Sequence, residues 1–165
     1  MIEPILSTKK VVLLRKFLIL GRILAIDYGQ KRVGFAVTDE LRICASPLET
    51  IHVSKAFEFL TRYIAKENVD IIIVGEPRQW DNSHSDSSRF IEPFVNRLKK
   101  EIKGIEIVRV DERFTSKMAF QAMIDAGLKK KERQNKELVD KISAAIILQS
   151  YLQQIEYENE RNQNL

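Results

Sequence analysis

Residues Ile23 to Asp39 read ILAIDYGQKRVGFAVTD, two apolar runs on either side of a short polar turn. This pattern predicts a hairpin of two strands, Ile23 to Tyr28 and Arg32 to Thr38, with Gly29 supplying the backbone freedom of a tight turn. The oddity is Asp27. Four apolar residues form the core of a buried strand, yet the run ends in an ionised side chain, and an unpaired buried carboxylate costs several kcal/mol.

The hairpin is the first part of a longer alternation of strands and helices. A third short strand fits Ile43 to Ile51, where Pro47 suits an edge position or a bulge. Three strands in succession imply an antiparallel meander. The period then changes: Ser54 is of N-cap type, and Phe57, Leu60 and Ile64 recur at helical spacing up to Asn68. DIIIVGEP, from Asp70 to Pro77, is a continuous branched run stopped by Gly75 and Pro77, the pattern of a parallel strand covered on both faces. Further helices are predicted over Ser87 to Lys100, with Phe90, Phe94 and Leu98 on one stripe, over Ser116 to Ala126, closed by Gly127, and from about Asn135 to Tyr157. The strand IEIVRV precedes Asp111 and Glu112. The order βββαβαβαα predicts an α/β fold: a mixed five-stranded sheet, a three-strand antiparallel meander plus parallel strands, with helices on both faces. That is the order of the ribonuclease H-like fold.

Composition sets limits on function. A chain of 165 residues suits one domain, read here as residues 23–158, with an N-terminal extension over 1–22 and a tail over 159–165. Hydrophobic residues at 44% and charged residues at 30% are ordinary for a soluble protein, and no stretch approaches the roughly 18 apolar residues of a membrane span. In the extension, Arg15 and Lys16 separate two apolar quartets, which argues against a secretory signal; an added helix or strand, a partner-binding arm and an upstream start all stay open. The lone Cys44 excludes an internal disulfide framework, no Cys and His cluster has zinc-ligand spacing, and a cytoplasmic location without membrane attachment is expected. The net charge of +4 and pI near 9.2 favour polyanionic partners. Arg113 to Lys141 carries eight Lys or Arg against four Asp or Glu, including KKKER at Lys129 to Arg133. By itself such a run is a solvated face; beside a site it is a substrate contact.

Three acidic positions occupy comparable places. Asp27 ends ILAI, Asp111 and Glu112 follow IEIVRV, and Asp140 lies early in a helix that continues ISAAIIL. Converging carboxylates require compensation, which a divalent cation supplies. Oxygen ligands without Cys or His suit Mg²⁺ or Mn²⁺, and two such ions about 4 Å apart activate water and stabilise the leaving oxygen of a phosphodiester. Plainer readings stand beside this one. Asp27 also fits an Asx turn or a hairpin salt bridge with Lys31 or Arg32, and Asp140 also suits the positive end of its own helix. Strand alternation does not choose between Asp111 and Glu112, and Glu76 is a further candidate, read first as a loop carboxylate.

ILAIDYGQKRVGFAVTD, IIIVGEP, DERFTS and LVDKISAAIILQSYL, in this order and spacing, closely resemble the YqgF family, also called RuvX, of ribonuclease H-like nucleases. The likeness runs from about Ile23 to Tyr151. It implies a cytoplasmic bacterial nuclease that matures the 5′ end of pre-16S rRNA or resolves Holliday junctions. It also implies that Asp27, Glu112 and Asp140 are the catalytic, metal-holding acids, with Arg113 and Thr115 beside them to contact phosphate. Asp111 and Glu76 are the less certain ligands; Glu76 stands where the family frequently has an apolar residue.

Phosphate anchors are expected at Lys31, Arg32, Lys129, Lys130, Lys131 and Arg133. Trp80 suits a core cap better than a base-stacking platform, His84 reads as solvent-exposed, and His52 and Cys44 read as structural. Two other functions compete with a nuclease acting on rRNA or branched DNA. One is a non-catalytic nucleic-acid-binding module; the other is an actin-like ATPase relative, which no P-loop glycine pattern supports. Junction cleavage needs two active sites, hence a homodimer.

Overall fold

The apolar run of β1 (Arg22–Tyr28) is fully enclosed: Ile23, Leu24, Ala25 and Ile26 have no exposed surface in the computed structural model, which describes residues 20–76, 88–111 and 115–163. Such enclosure requires neighbours along both edges and cover on both faces. β2 (Arg32–Thr38) pairs antiparallel with one edge and carries β3 (Ala45–His52) antiparallel beyond it. β4 (Val69–Glu76) pairs parallel with the other edge and carries β5 (Glu106–Asp111), giving the order β3-β2-β1-β4-β5. The expected mixed sheet of a meander plus parallel strands is the one observed, in the ribonuclease H-like arrangement.

Alternation sorts the core into two layers. Leu24 and Ile26, with Val33, Phe35, Ile72 and Val74, pack toward α1 (Val53–Ile64) and α2 (Ser88–Glu101). On this side Tyr28 meets Phe94 with ring centroids 4.7 Å apart, and burial pushes its hydroxyl pKa up. On the opposite face α3 (Thr115–Asp125) and the single-turn α4 (Lys130–Arg133) lead into α5 (Lys136–Gln163). Ile23, Ala25, Ala36, Ile73 and Val110 pack there against Ala144, Ile147 and Leu148 of α5. Each fully buried Leu or Ile contributes on the order of 2 kcal/mol by removal from water, so neither layer is dispensable.

Several boundaries differ from the sequence reading for local reasons. β3 starts at Ala45, because Ile43 and Cys44 belong to a loop whose N–H groups donate to Asp39 Oδ1, both at 2.8 Å. The Cys44 donation, followed by that of Ile43, holds the Asp39 carboxyl below the usual carboxylate range. Pro47 occupies both expected settings: β3 is an edge strand, and its register with β2 shifts between Phe35 and Ala36. The N-cap of α1 is His52, whose Nδ1 accepts from the Ser54 N–H at 3.3 Å, so Ser54 lies inside the helix. That helix stops at Ile64 instead of Asn68, since the Asn68 carbonyl is needed by the Arg22 N–H at 2.7 Å where β1 begins. In α2 the buried stripe is Ile91, Phe94, Val95 and Leu98, and Phe90 is half exposed. The turn of α4 is additional to the expected helices, and α5 runs on past Tyr157 to Gln163. Gly29 has no left-handed backbone; a side chain there would instead press on the Arg32 carbonyl, 2.8 Å from its Cβ position, which accepts the Gly29 N–H and closes the hairpin. Gly127, at φ +76°, ends α3 as expected.

Asn135 caps α5 through Oδ1, which accepts from the N–H groups of Glu137 at 3.0 Å and Leu138 at 3.3 Å. Asn135→Ala is expected to lower the unfolding free energy by about 1 kcal/mol in urea titrations, while Asn135→Asp retains it.

Candidate functional site

Asp27 is directly opposite Gly34 in the β1–β2 ladder. It shares its strand face with Ile23 and Ala25, so it belongs to the face covered by α5. Gly34 belongs to that face too, and α5 crosses β2 directly above it: a Cβ there would collide with the Asp140 carbonyl and lie 3.0 Å from the Lys141 amide nitrogen. Only a residue without a side chain permits this approach. The β1–β2 register and the crossing thus bring the strand end bearing Asp27 and the α5 turn bearing Asp140 to one part of one face.

Arg32 joins them. It is on the same face as Asp27, two register positions nearer the hairpin turn, and its Nε donates to Asp140 Oδ2 at 2.7 Å. Both side chains are partly open to solvent, at 30% and 25% exposure. Thr50 Oγ1 of β3 donates to the Glu137 carbonyl at 2.7 Å, tying the same turn of α5 to the sheet edge. The hairpin salt bridge expected between Asp27 and Lys31 or Arg32 is not what Arg32 makes; its carboxylate partner is 108 residues away.

Other acids lie elsewhere. Glu76 and Asp111 are register partners at the ends of β4 and β5. Val108 and Val110 pack on the α5 side, whereas Arg109 bonds Glu92 of α2 at 2.7 Å, so alternation assigns Asp111 to the α2 face. Glu76 lines a cleft of about 750 Å³ on that same face with Arg89, Glu92 and Arg109. The sheet therefore separates Glu76 and Asp111 from Asp27 and Asp140. A second cleft of about 530 Å³, between the β2–β3 loop and the C-terminal half of α5, is also remote from the two acids.

The expected cations divide as well. Lys31 is exposed at the hairpin turn, its carbonyl accepting the Val53 N–H at 3.0 Å. Lys129, Lys130 and Lys131 are exposed around α4, immediately before α5. Arg133, expected as a phosphate anchor, lies over the Phe120 ring at 5.3 Å and is partly buried. Thr115 opens α3. Glu112 and Arg113, like Trp80 and His84, lie outside the described residues. Among the described residues no group of three His, Cys, Asp or Glu could hold a metal ion. The two carboxylates that do share a face offer the hard oxygen donors a Mg²⁺ or Mn²⁺ ligand set requires, and one of them, Asp140, already attracts a cation.

Sequence reasoning passed over Gly34. An isolated glycine inside the branched run RVGFAV signals a close backbone approach, and it was the available clue to the α5 crossing.

A mixed sheet with one acid at the end of β1 and another on the helix that crosses the same face is thus the scaffold. A family model described as "RuvX: Holliday junction resolvase" matches residues 21–154, and the chain belongs to this family. A relative from Phocaeicola vulgatus is 56% identical over 138 residues, covering 84% of this chain and 99% of its own length. One from Flavobacterium psychrophilum is 58% identical over 131 residues, covering 79% of this chain and 96% of its own. Both bear the name "Putative pre-16S rRNA nuclease". A solved structure of Thermus thermophilus RuvC with a Holliday junction substrate aligns at a TM-score of 0.44 and 16% identity, covering 77% of this chain and 91% of that one.

Gly34→Ala is expected to lower stability by about 1 to 3 kcal/mol, because the Cβ meets helix backbone that cannot rotate away. Urea denaturation measures it, and a cost below about 0.5 kcal/mol would show that the helix gives way freely.

Proposed function

We propose that this chain is a divalent-metal-dependent nuclease that hydrolyses phosphodiester bonds in structured nucleic acid, with 5′-end processing of pre-16S rRNA as its reaction. The supporting observation is the arrangement of Asp27 and Asp140 on one sheet face, created by the β1–β2 register and the α5 crossing at Gly34. Family membership and the names of the relatives point the same way.

Asp27, Asp140 and Glu112 are the proposed ligand set. Glu112 enters through the family motif DER and because the other acids near that strand end, Asp111 and Glu76, belong to the opposite face. A dication held by these oxygens supplies an activated water and a counter-charge for the leaving oxygen. The rest is work for the protein. Asp27, on the central strand, is held by the β1–β2 ladder. Asp140 is held by backbone packing of α5 on β2. Lys31 at the hairpin tip and Lys129 to Lys131 beside α4 draw the phosphate backbone across this face, a sequence-independent attraction that falls with salt. Arg113 and Thr115 join them as phosphate contacts by family resemblance. No described helix is long and apolar enough to cross a membrane, in keeping with work on rRNA in the cytoplasm.

The family model's description supports a second substrate, the four-way DNA junction. Incubating the protein with Mg²⁺ or Mn²⁺ and either a precursor rRNA fragment or a junction decides between them, and sedimentation establishes whether the dimer that junction cleavage needs is present. Asp27→Asn is expected to reduce metal-dependent cleavage more than about 100-fold with an unchanged circular dichroism spectrum; full activity in that variant would refute the mechanism. Replacing Lys129, Lys130 and Lys131 together by Gln is expected to reduce the slope of log affinity against log salt by roughly 2 to 3. A chain that binds with steep salt dependence but never cleaves would be a binding module.

A further inference from the structure

We propose that Arg32 is a built-in counter-ion that occupies Asp140 until a divalent cation takes its place, so that the β2–α5 ion pair sets how tightly the site holds metal. The inference rests on the metal-site reading above and deepens it.

Three observations carry it. The Arg32 Nε to Asp140 Oδ2 bond of 2.7 Å occupies an oxygen of one proposed ligand, and both side chains are open enough for an ion to reach them. Arg32 is also the diagonal cross-strand neighbour of Asp27, at roughly 7 Å spacing, so its positive charge is felt by both acids. Finally, neither partner needs the pair to stay in place. Asp140 is fixed by the close packing of α5 backbone on Gly34, and the Arg32 backbone is fixed by its carbonyl, which closes the hairpin with the Gly29 N–H at 2.9 Å. The guanidinium can leave while the carboxylate remains.

The energetics favour exchange. Two acids on one face repel each other, and the Arg32 guanidinium brings one positive charge where a dication brings two. A dication compensates both, at the cost of separating a partly exposed ion pair, which is weak by itself. Arg32 thus competes with the metal for Asp140 and lowers its affinity. Once displaced, its donors face the side of the sheet where the substrate phosphate is proposed to lie.

Mn²⁺ binding, followed by electron paramagnetic resonance of the free ion or by calorimetry, tests this without cleavage. Arg32→Gln is expected to bind Mn²⁺ about 5-fold more tightly than the wild type. Its melting temperature without metal is expected to fall, with a larger recovery on adding Mn²⁺ than the wild type shows. Arg32→Lys should return the affinity toward the wild-type value, and Lys31→Gln, which removes an equal charge at the turn, should change it less. Unchanged or weaker Mn²⁺ affinity in a folded Arg32→Gln protein, with wild-type binding intact, overturns the counter-ion role and leaves the metal site standing. Absence of Mn²⁺ binding in both proteins overturns the metal-site reading and this inference with it.

Discussion

The crossing of α5 over β2 at Gly34 is the contact on which the site depends. Helix backbone ordinarily stays about a side chain away from a sheet, yet here the turn containing Asp140 and Lys141 is in contact with the strand itself. That closeness moves Asp140 toward Asp27, which faces the same helix from the neighbouring strand. It also makes the position of Asp140 a property of packed backbone. An acid held only by an ion pair would drift when its partner left.

Charge then has to be managed on a face built mainly for burial. Ile23, Ala25, Ala36 and Ile73 make the α5 layer apolar, and the acids occupy its margin, where half-burial keeps them reachable. Arg32 supplies a counter-charge at 2.7 Å from Asp140. The sheet isolates this group from a second ionic cluster. Glu76, Arg89, Glu92 and Arg109 line a mixed-charge cleft on the α2 face, with the sheet between the two. Two charged sites of different character coexist because strand alternation sends adjacent residues to opposite sides.

The far end of β1 is tied down as firmly as the site end is opened. Asp70 Oδ2 accepts from the Gly21 N–H at 2.7 Å and from Arg42 Nη2 at 2.6 Å, while Arg42 Nε donates to the Gly21 carbonyl at 2.8 Å. Arg22 reaches the Thr38 carbonyl at 2.9 Å. These bonds fix the start of the central strand against β4 and the β2–β3 loop. The strand is thereby anchored at one end and carries Asp27 near the other.

Much of this was legible in the chain. The run ILAI, the hairpin after it and the branched stretch DIIIV specify a buried central pair of strands, because alternation and continuous burial are local properties of residue type. Asp27 was conspicuous for the same reason, an acid at the end of an apolar run. Whether Asp111 shares its face was not legible, since β5 carries apolar residues on both sides and only the packing of Arg109 on α2 fixes the phase. Nor was the partner of Arg32, because a salt bridge spanning 108 residues leaves no periodic trace in sequence. The sequence by itself determined which segments are strands and helices and which acids stand at their ends. Tertiary structure alone decided which of those acids share a face, because that depends on strand phase and on how closely one helix passes over one glycine.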